Sequence, residues 1–168
     1  MKIRILSGVS GSGKSTWATS YLNRDVSFVR INRDDIRKTL YGSLVGYYDS
    51  WILRQRESFV NSIEESLIKT ICNNGYNIII DNTVLKPSYL KRYIDMVKNY
   101  SVSSLIDAEL VLFTNIDLKT CVERVKQRDG LANPESYIKA QLESLIENKQ
   151  VLVNMFLEQF PLGVITYV

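Results

Sequence analysis

Apolar residues near the start of the chain come in short runs separated by polar punctuation. Ile3 to Leu6 form one such run, which breaks into Gly8-Val9-Ser10-Gly11-Ser12-Gly13-Lys14-Ser15-Thr16, after which Trp17, Ala18, Tyr21 and Leu22 recur at helical spacing. The order predicts a strand, a glycine loop and a helix. Ser27 to Ile31 is β-branched and aromatic enough for a second strand. Asn32 then suits the N-cap of a short helix with Ile36 and Leu40 on one face and Gly42 past its end. From about Ser50 to Cys72, the residues Ile52, Phe59, Ile63, Leu67 and Ile71 fall on one stripe before Asn73-Asn74-Gly75 supplies a left-handed stop. This segment reads as a long amphipathic helix with that stripe as its apolar face.

Tyr76 to Ile80 predicts a third strand ending in Asp81-Asn82-Thr83, and Pro87 suits the first turn of a helix carrying Leu90, Ile94 and Val97. Ala108 to Phe113 predicts a fourth strand. Asp117 is placed to cap a helix with Cys121, Val122 and Val125, Asn133-Pro134 to start another with Ile138, Leu142 and Ile146, and Gly163 to Val168 to finish as a fifth strand. Strands alternating with helices imply an α/β fold: a five-stranded parallel sheet with helices on both faces and right-handed crossovers. No repeat, linker or second domain interrupts the pattern, so residues 1–168 read as one domain.

Composition narrows the chemistry. The chain has 168 residues and no histidine, which removes imidazole bases, imidazole metal ligands and Ser-His-Asp or Cys-His nucleophiles. Any general base must be Asp, Glu, Lys or Tyr. With 21 Lys and Arg against 18 Asp and Glu, a net charge of +3 permits a polyanionic substrate without demanding one. Cys72 and Cys121 are isolated and read as small buried apolar residues in a reducing compartment. No apolar run is long enough for a membrane span and no secretory segment precedes Lys14, so a cytoplasmic location is expected.

The strongest chemical signal is Gly8-x-x-x-x-Gly13-Lys14-Ser15, which matches G-x-x-x-x-G-K-[ST] in full and has a predicted strand before it and a helix after it. In such a loop, backbone N–H groups wrap a β-phosphate at a helix N-terminus. Lys14 neutralises β- and γ-phosphate charge and the Ser15 hydroxyl ligates Mg²⁺. Gly8, Ser10, Gly11, Ser12, Gly13, Lys14, Ser15 and Thr16 are therefore the candidate NTP-binding residues. The acceptor belongs at the carboxyl edge of the sheet. There the second strand delivers Asn32-Arg33-Asp34-Asp35-Ile36-Arg37. A carboxylate in this block suits proton abstraction from an attacking hydroxyl. Arg37 shares a helical face with Asp34 and suits an acceptor phosphate, or a simple ion pair at a helix start. Arg124 and Lys126 read as solvated, with lid contacts as the alternative.

Residues 11–18, the block Ile31-Asn-Arg-Asp-Asp-Ile-Arg37, the strand ending Asp81-Asn82-Thr83, and Arg124-x-Lys126-x-Arg128 followed by Pro134 together resemble the kinase domain of phage-type polynucleotide 5′-kinases. The resemblance spans residues 1 to about 145. It implies a P-loop kinase fold with a small lid at about 124–134, and it implies ATP and Mg²⁺ at Lys14 and Ser15. It also implies Asp34 as the general base with Asp35 in support, Arg37 gripping an acceptor phosphate, Asp81 orienting the acceptor site, and Arg128 stabilising the transferring phosphoryl group.

That resemblance makes a nucleic-acid hydroxyl, foremost the 5′-OH end of DNA or RNA, the expected acceptor. Through Val168 there is no Asp-x-Asp-x-Thr-type phosphatase nucleophile, so 3′-phosphate removal is expected of another protein. Hydroxymethylated pyrimidines in phage DNA, tRNA-linked seryl groups and small nucleoside or sugar hydroxyls are the alternative acceptors. Tyr47, Tyr48 and Trp51 suit either base stacking or helix packing. A P-loop switch module is the non-enzymatic alternative, and it lacks an Asn-Lys-x-Asp base-specificity motif: Asn148-Lys149 continues as Gln150-Val151. No membrane partner is expected, and the oligomeric state stays open.

Overall fold

A computed structural model of the chain describes residues 1–42, 50–130 and 134–168. Its elements run β1 (Lys2–Ser7), α1 (Lys14–Leu22), β2 (Phe28–Ile31), α2 (Arg33–Tyr41), α3 (Ser50–Asn73), β3 (Asn77–Asp81), α4 (Pro87–Tyr100), β4 (Asp107–Leu112), α5 (Leu118–Asp129), α6 (Glu135–Gln159) and β5 (Val164–Tyr167). The five strands form one parallel sheet in the order β2-β3-β1-β4-β5. This is the α/β architecture expected from the strand and helix alternation. Because β1 is flanked by β3 and β4, the chain leaves it first to one side and later to the other. A crevice therefore opens beyond its carboxyl end, where the glycine loop lies.

The central strands are apolar on both faces, as a covered parallel sheet requires. Ile3, Ile5, Ile78, Ile80, Leu110 and Leu112 point to one side, where they join Ile68 and Cys72 of α3, Ile94 and Val97 of α4, and Leu152 and Phe156 of α6 in the largest core cluster. Leu6, Ile79 and Val111 point to the other side and pack with Ala18 of α1, Phe28 and Phe113. A third cluster around Val9, Leu85, Cys121, Val125, Ile138 and Leu145 fixes α5 and α6 beside the glycine loop. Both cysteines are buried and unpaired with each other, and burial pushes the Cys72 thiol up to about 11. No helix among the described residues is long and apolar enough to cross a membrane.

Two expected apolar faces are turned. On α3, Val60, Ile68, Ile71 and Cys72 are buried, whereas Ile52, Phe59 and Leu67 of the predicted stripe are exposed. Only Ile71 of that stripe is in the core. The helix carries two adjacent apolar stripes, and the one that docks contains a fully buried glutamate, Glu64. On α6, Ile138 and Leu145 are buried and Ile146 faces solvent.

Candidate active site

The glycine loop joins β1 to α1 with two glycines that no other residue replaces without strain. Gly13 is the N-cap of α1 at φ 94°. Gly11 sits at φ 80° with α5 so close that a Cβ would stand 2.6 Å from the Cys121 carbonyl oxygen. Lys14, the first residue of α1, folds back into the loop and donates from Nζ to the carbonyls of Gly8 (2.8 Å) and Val9 (2.7 Å). Burial lowers its pKa from 10.5 to about 8, with Asp81 pulling the other way and Arg128 adding to the drop. On the rim, Arg124 Nη1 donates to Gly11 O at 3.0 Å, Gln141 Oε1 accepts from Ser10 N at 2.7 Å, and Tyr137 OH lies 3.0 Å from Ser10 Oγ.

Across the cleft, α2 starts at the carboxyl end of β2. The Asn32 side chain caps it by accepting from Asp35 N at 3.1 Å, and its amide also donates to the Asp81 carbonyl at 2.6 Å. Asp81 ends β3 fully buried. Arg30 grips its Oδ2 from Nε (2.8 Å) and Nη2 (2.7 Å), while Oδ1 has no partner among the described residues. Asp34 accepts from Arg37 Nη1 at 2.6 Å. The rest of the Arg37 guanidinium meets Glu57 of α3, Nε to Oε1 and Nη2 to Oε2, both at 2.7 Å; Arg33 adds a 2.8 Å bond to the same carboxylate. Hydrogen bonds from Arg37 hold Glu57 below the usual carboxylate range. Among the described residues, three of the five N–H donors of Arg37 are thus used and two are left.

The glycine loop, the start of α2, the end of β3 and the facing sides of α5 and α6 line one cleft of about 1180 Å³. Its lining includes the basic residues Lys14, Arg24, Arg33, Arg37, Lys86, Arg124 and Arg128 against the acidic Asp34 and Asp81. The chain as a whole carries only +3, so its basic excess gathers here. The donor set also fits a hard cation of the Mg²⁺ kind carried by a nucleotide. The Ser15 hydroxyl lies in the first turn of α1, and the orphaned Asp81 oxygen asks for a cation or a cation-bound water.

A family model described as an AAA domain, AAA_33, matches residues 3–152. The chain belongs to this family of P-loop kinase domains. A protein of Autographa californica nuclear polyhedrosis virus, provisionally named a bifunctional polynucleotide kinase/RNA ligase, is 30% identical over 173 residues, covering 96% of this chain and 22% of the viral protein. A chain of the Pnkp1/Rnl/Hen1 RNA repair complex superimposes with a TM-score of 0.71 at 26% identity, over 89% of this chain and 45% of its own length. A gluconokinase from Sinorhizobium meliloti 1021 shares the fold at a TM-score of 0.52 and 20% identity, over 99% of this chain and 82% of that one. The kinase domain thus spans about a fifth of its viral relative and less than half of the repair chain.

Within the kinase domain, the expected residues Ser10, Gly11, Ser12, Gly13, Lys14, Ser15, Thr16, Asp34, Arg37, Asp81 and Arg128 all line the cleft. Gly8 is not in the lining; its carbonyl accepts from Lys14 Nζ behind the loop. Arg128 is paired in bidentate fashion with Asp129 at 2.7 and 2.6 Å. Asp35 is not in the lining and pairs with Arg30. Arg124, expected to be solvated, is exposed and also donates to the loop and lines the cleft. Tyr47 and Tyr48 lie outside the described residues, as do positions 131–133 of the expected lid. Sequence reading missed Arg30, Glu57, Glu64, Tyr137 and Gln141, and carried Asn82 only within the Asp81-Asn82-Thr83 block, without a role of its own. For Arg30 a signal existed, since it lies two residues before the motif residue Asn32 at a strand end.

Proposed function

We propose that this kinase domain moves the γ-phosphate of ATP to a hydroxyl of a nucleic acid, with the 5′-OH end of DNA or RNA as the acceptor. The observation that supports this most is the Asn32–Arg37 helix start facing the glycine loop across one strongly basic cleft. The names carried by the viral relative and the repair complex favour the same acceptor class.

In this reading Lys14 exchanges the Gly8 and Val9 carbonyls for phosphate oxygens, and the first backbone N–H groups of α1 cradle the β-phosphate. Mg²⁺ would be held by Ser15, with Asp81 steadying its water shell, and when bound it supplies charge neutralisation on the phosphates. Asp34 takes the proton of the attacking hydroxyl, the role that a histidine-free site leaves to a carboxylate. Arg37, anchored by Glu57, turns its two remaining donors to the acceptor phosphate. Arg128 trades Asp129 for the transferring phosphoryl oxygens.

A direct test compares a nucleoside 3′-monophosphate with the bare nucleoside as acceptors. The phosphorylated acceptor should be strongly preferred, and Arg37→Ala should erase the preference. Equal use of both acceptors by the parent protein would contradict this role for Arg37.

A further inference from the structure

Glu64 of α3 is fully buried yet lies outside the cleft lining. A buried carboxylate is costly unless its oxygens are satisfied, so its partners carry information. Oε1 accepts from Asn82 Nδ2 (2.8 Å) and from Tyr93 OH (2.8 Å); Oε2 pairs with Arg92 Nη1 (2.7 Å). Asn82 follows Asp81 at the end of β3, and its own Oδ1 accepts from the backbone N–H of Arg33 at 2.9 Å. Arg33 is the first residue of α2 and precedes Asp34. Its N–H is one of the helix-start donors that have no partner inside the helix.

The polarity of the Asn82 amide is therefore dictated from behind. An ionised carboxylate only accepts, so the amide nitrogen must face Glu64 and the amide oxygen must face Arg33. A flipped amide would set oxygen against carboxylate and NH₂ against N–H. We infer that Glu64 is a positioning residue, which orients Asn82 so that Asn82 pins the first turn of α2 and with it Asp34 against the end of β3. It acts as a hydrogen-bond acceptor through Oε1; its ion pair with Arg92 serves stability. This rests on the proposal that Asp34 is the acceptor-side base.

Two substitutions separate those tasks. Glu64→Gln keeps an oxygen toward Asn82 and Tyr93 and gives up only the pair with Arg92, whose partly exposed side chain can turn to water. Glu64→Leu removes the carboxylate and leaves Asn82 Nδ2 only the Tyr93 hydroxyl at 2.9 Å, itself released from Glu64 and able to turn. In Glu64→Leu, amide hydrogen exchange over residues 33–36 should rise at least tenfold while residues 11–16 keep their protection. Label transfer from ATP to a 5′-OH oligonucleotide should show kcat reduced by about 10- to 100-fold, the scale of a misplacement near 1 Å, with KM for ATP within about twofold. Glu64→Gln should melt lower but keep α2 protection and kcat within about threefold.

Should Glu64→Leu fail to fold, Asn82→Ala removes the acceptor of the Arg33 N–H directly and should give the same local loss of protection. Parental protection of residues 33–36 in the folded Leu or Ala variant would overturn the assignment, as would equal losses in the Gln and Leu variants. The two levels fail differently. A harmless Asp34→Asn defeats the proposed function, whereas an inactive Asp34→Asn beside a fully active Glu64→Leu defeats only the positioning role.

Discussion

Lys14 sits buried among carbonyls, its charge disfavoured until an anion arrives, so its titration reports on the site. Its folded pKa, about 8, is below the ordinary 10.5. Burying the protonated form therefore costs stability below about pH 8, and that cost is relieved as pH rises toward the unfolded value. Nucleotide phosphates restore the preference for the charged form. Above about pH 8, nucleotide binding should take up a proton and weaken by up to about tenfold per pH unit, and calorimetric titration between pH 7 and 9.5 reads this. A flat affinity would contradict a Lys14 poised near neutrality. Asp34→Asn should lower kcat by roughly 10² or more, in the range of general-base contributions, and leave ATP affinity almost unchanged. A larger effect from Asp35→Asn would move the base by one residue. The residue pattern alone suits either carboxylate and the resemblance points to Asp34; in the fold Asp34 lines the cleft, whereas Asp35 pairs with Arg30 outside its lining. Glu64 was invisible to sequence reading because nothing local distinguishes a buried glutamate from a solvated one on a helix rich in charge.

At the level of elements, local signals carried far. Asn32 and Asp117 cap their helices as expected, Pro87 opens α4, and Gly42, Gly75 and Gly130 all take positive φ. These are interactions of near neighbours, which a sequence contains. What periodicity cannot decide is which of two adjacent stripes on a long helix meets the sheet, because that depends on the other elements. The α3 helix illustrates it: the docked stripe of Val60, Glu64, Ile68 and Cys72 is interrupted by a charge, while the rival stripe of Ile52, Phe59 and Leu67 stays outside. Ile68→Ala should therefore cost about 2–5 kcal/mol in denaturant unfolding, as buried large-to-small changes do. Phe59→Ser and Leu67→Ser should fall within about ±0.5 kcal/mol, like other surface changes. The reverse ranking would mean that α3 docks by the other face.

At the level of the whole molecule, a sheet whose order reverses around β1 brings four distant segments to one crevice: residues 8–16, 31–37, 81–83 and 124–128. All four motif blocks were legible in the sequence. Their convergence, and the gathering of basic residues there by a chain of only modest net charge, belong to the fold. The Glu57 clamp on Arg33 and Arg37 likewise exists only once α3 has packed beside α2. A cleft of this sign and size favours a polyanionic acceptor, and phosphate contacts of that kind weaken as salt rises. The most direct measurement is transfer of labelled γ-phosphate from ATP to matched oligonucleotides with free and with blocked 5′ ends, in parallel with the same strands carrying hydroxymethylated pyrimidines. The expected result is label on every free 5′-OH strand, none on a blocked one, and loss of label with Lys14→Ala or Asp34→Asn. Label on blocked, base-modified strands with unmodified 5′-OH strands inert would contradict the 5′-end reading and move the acceptor to the base.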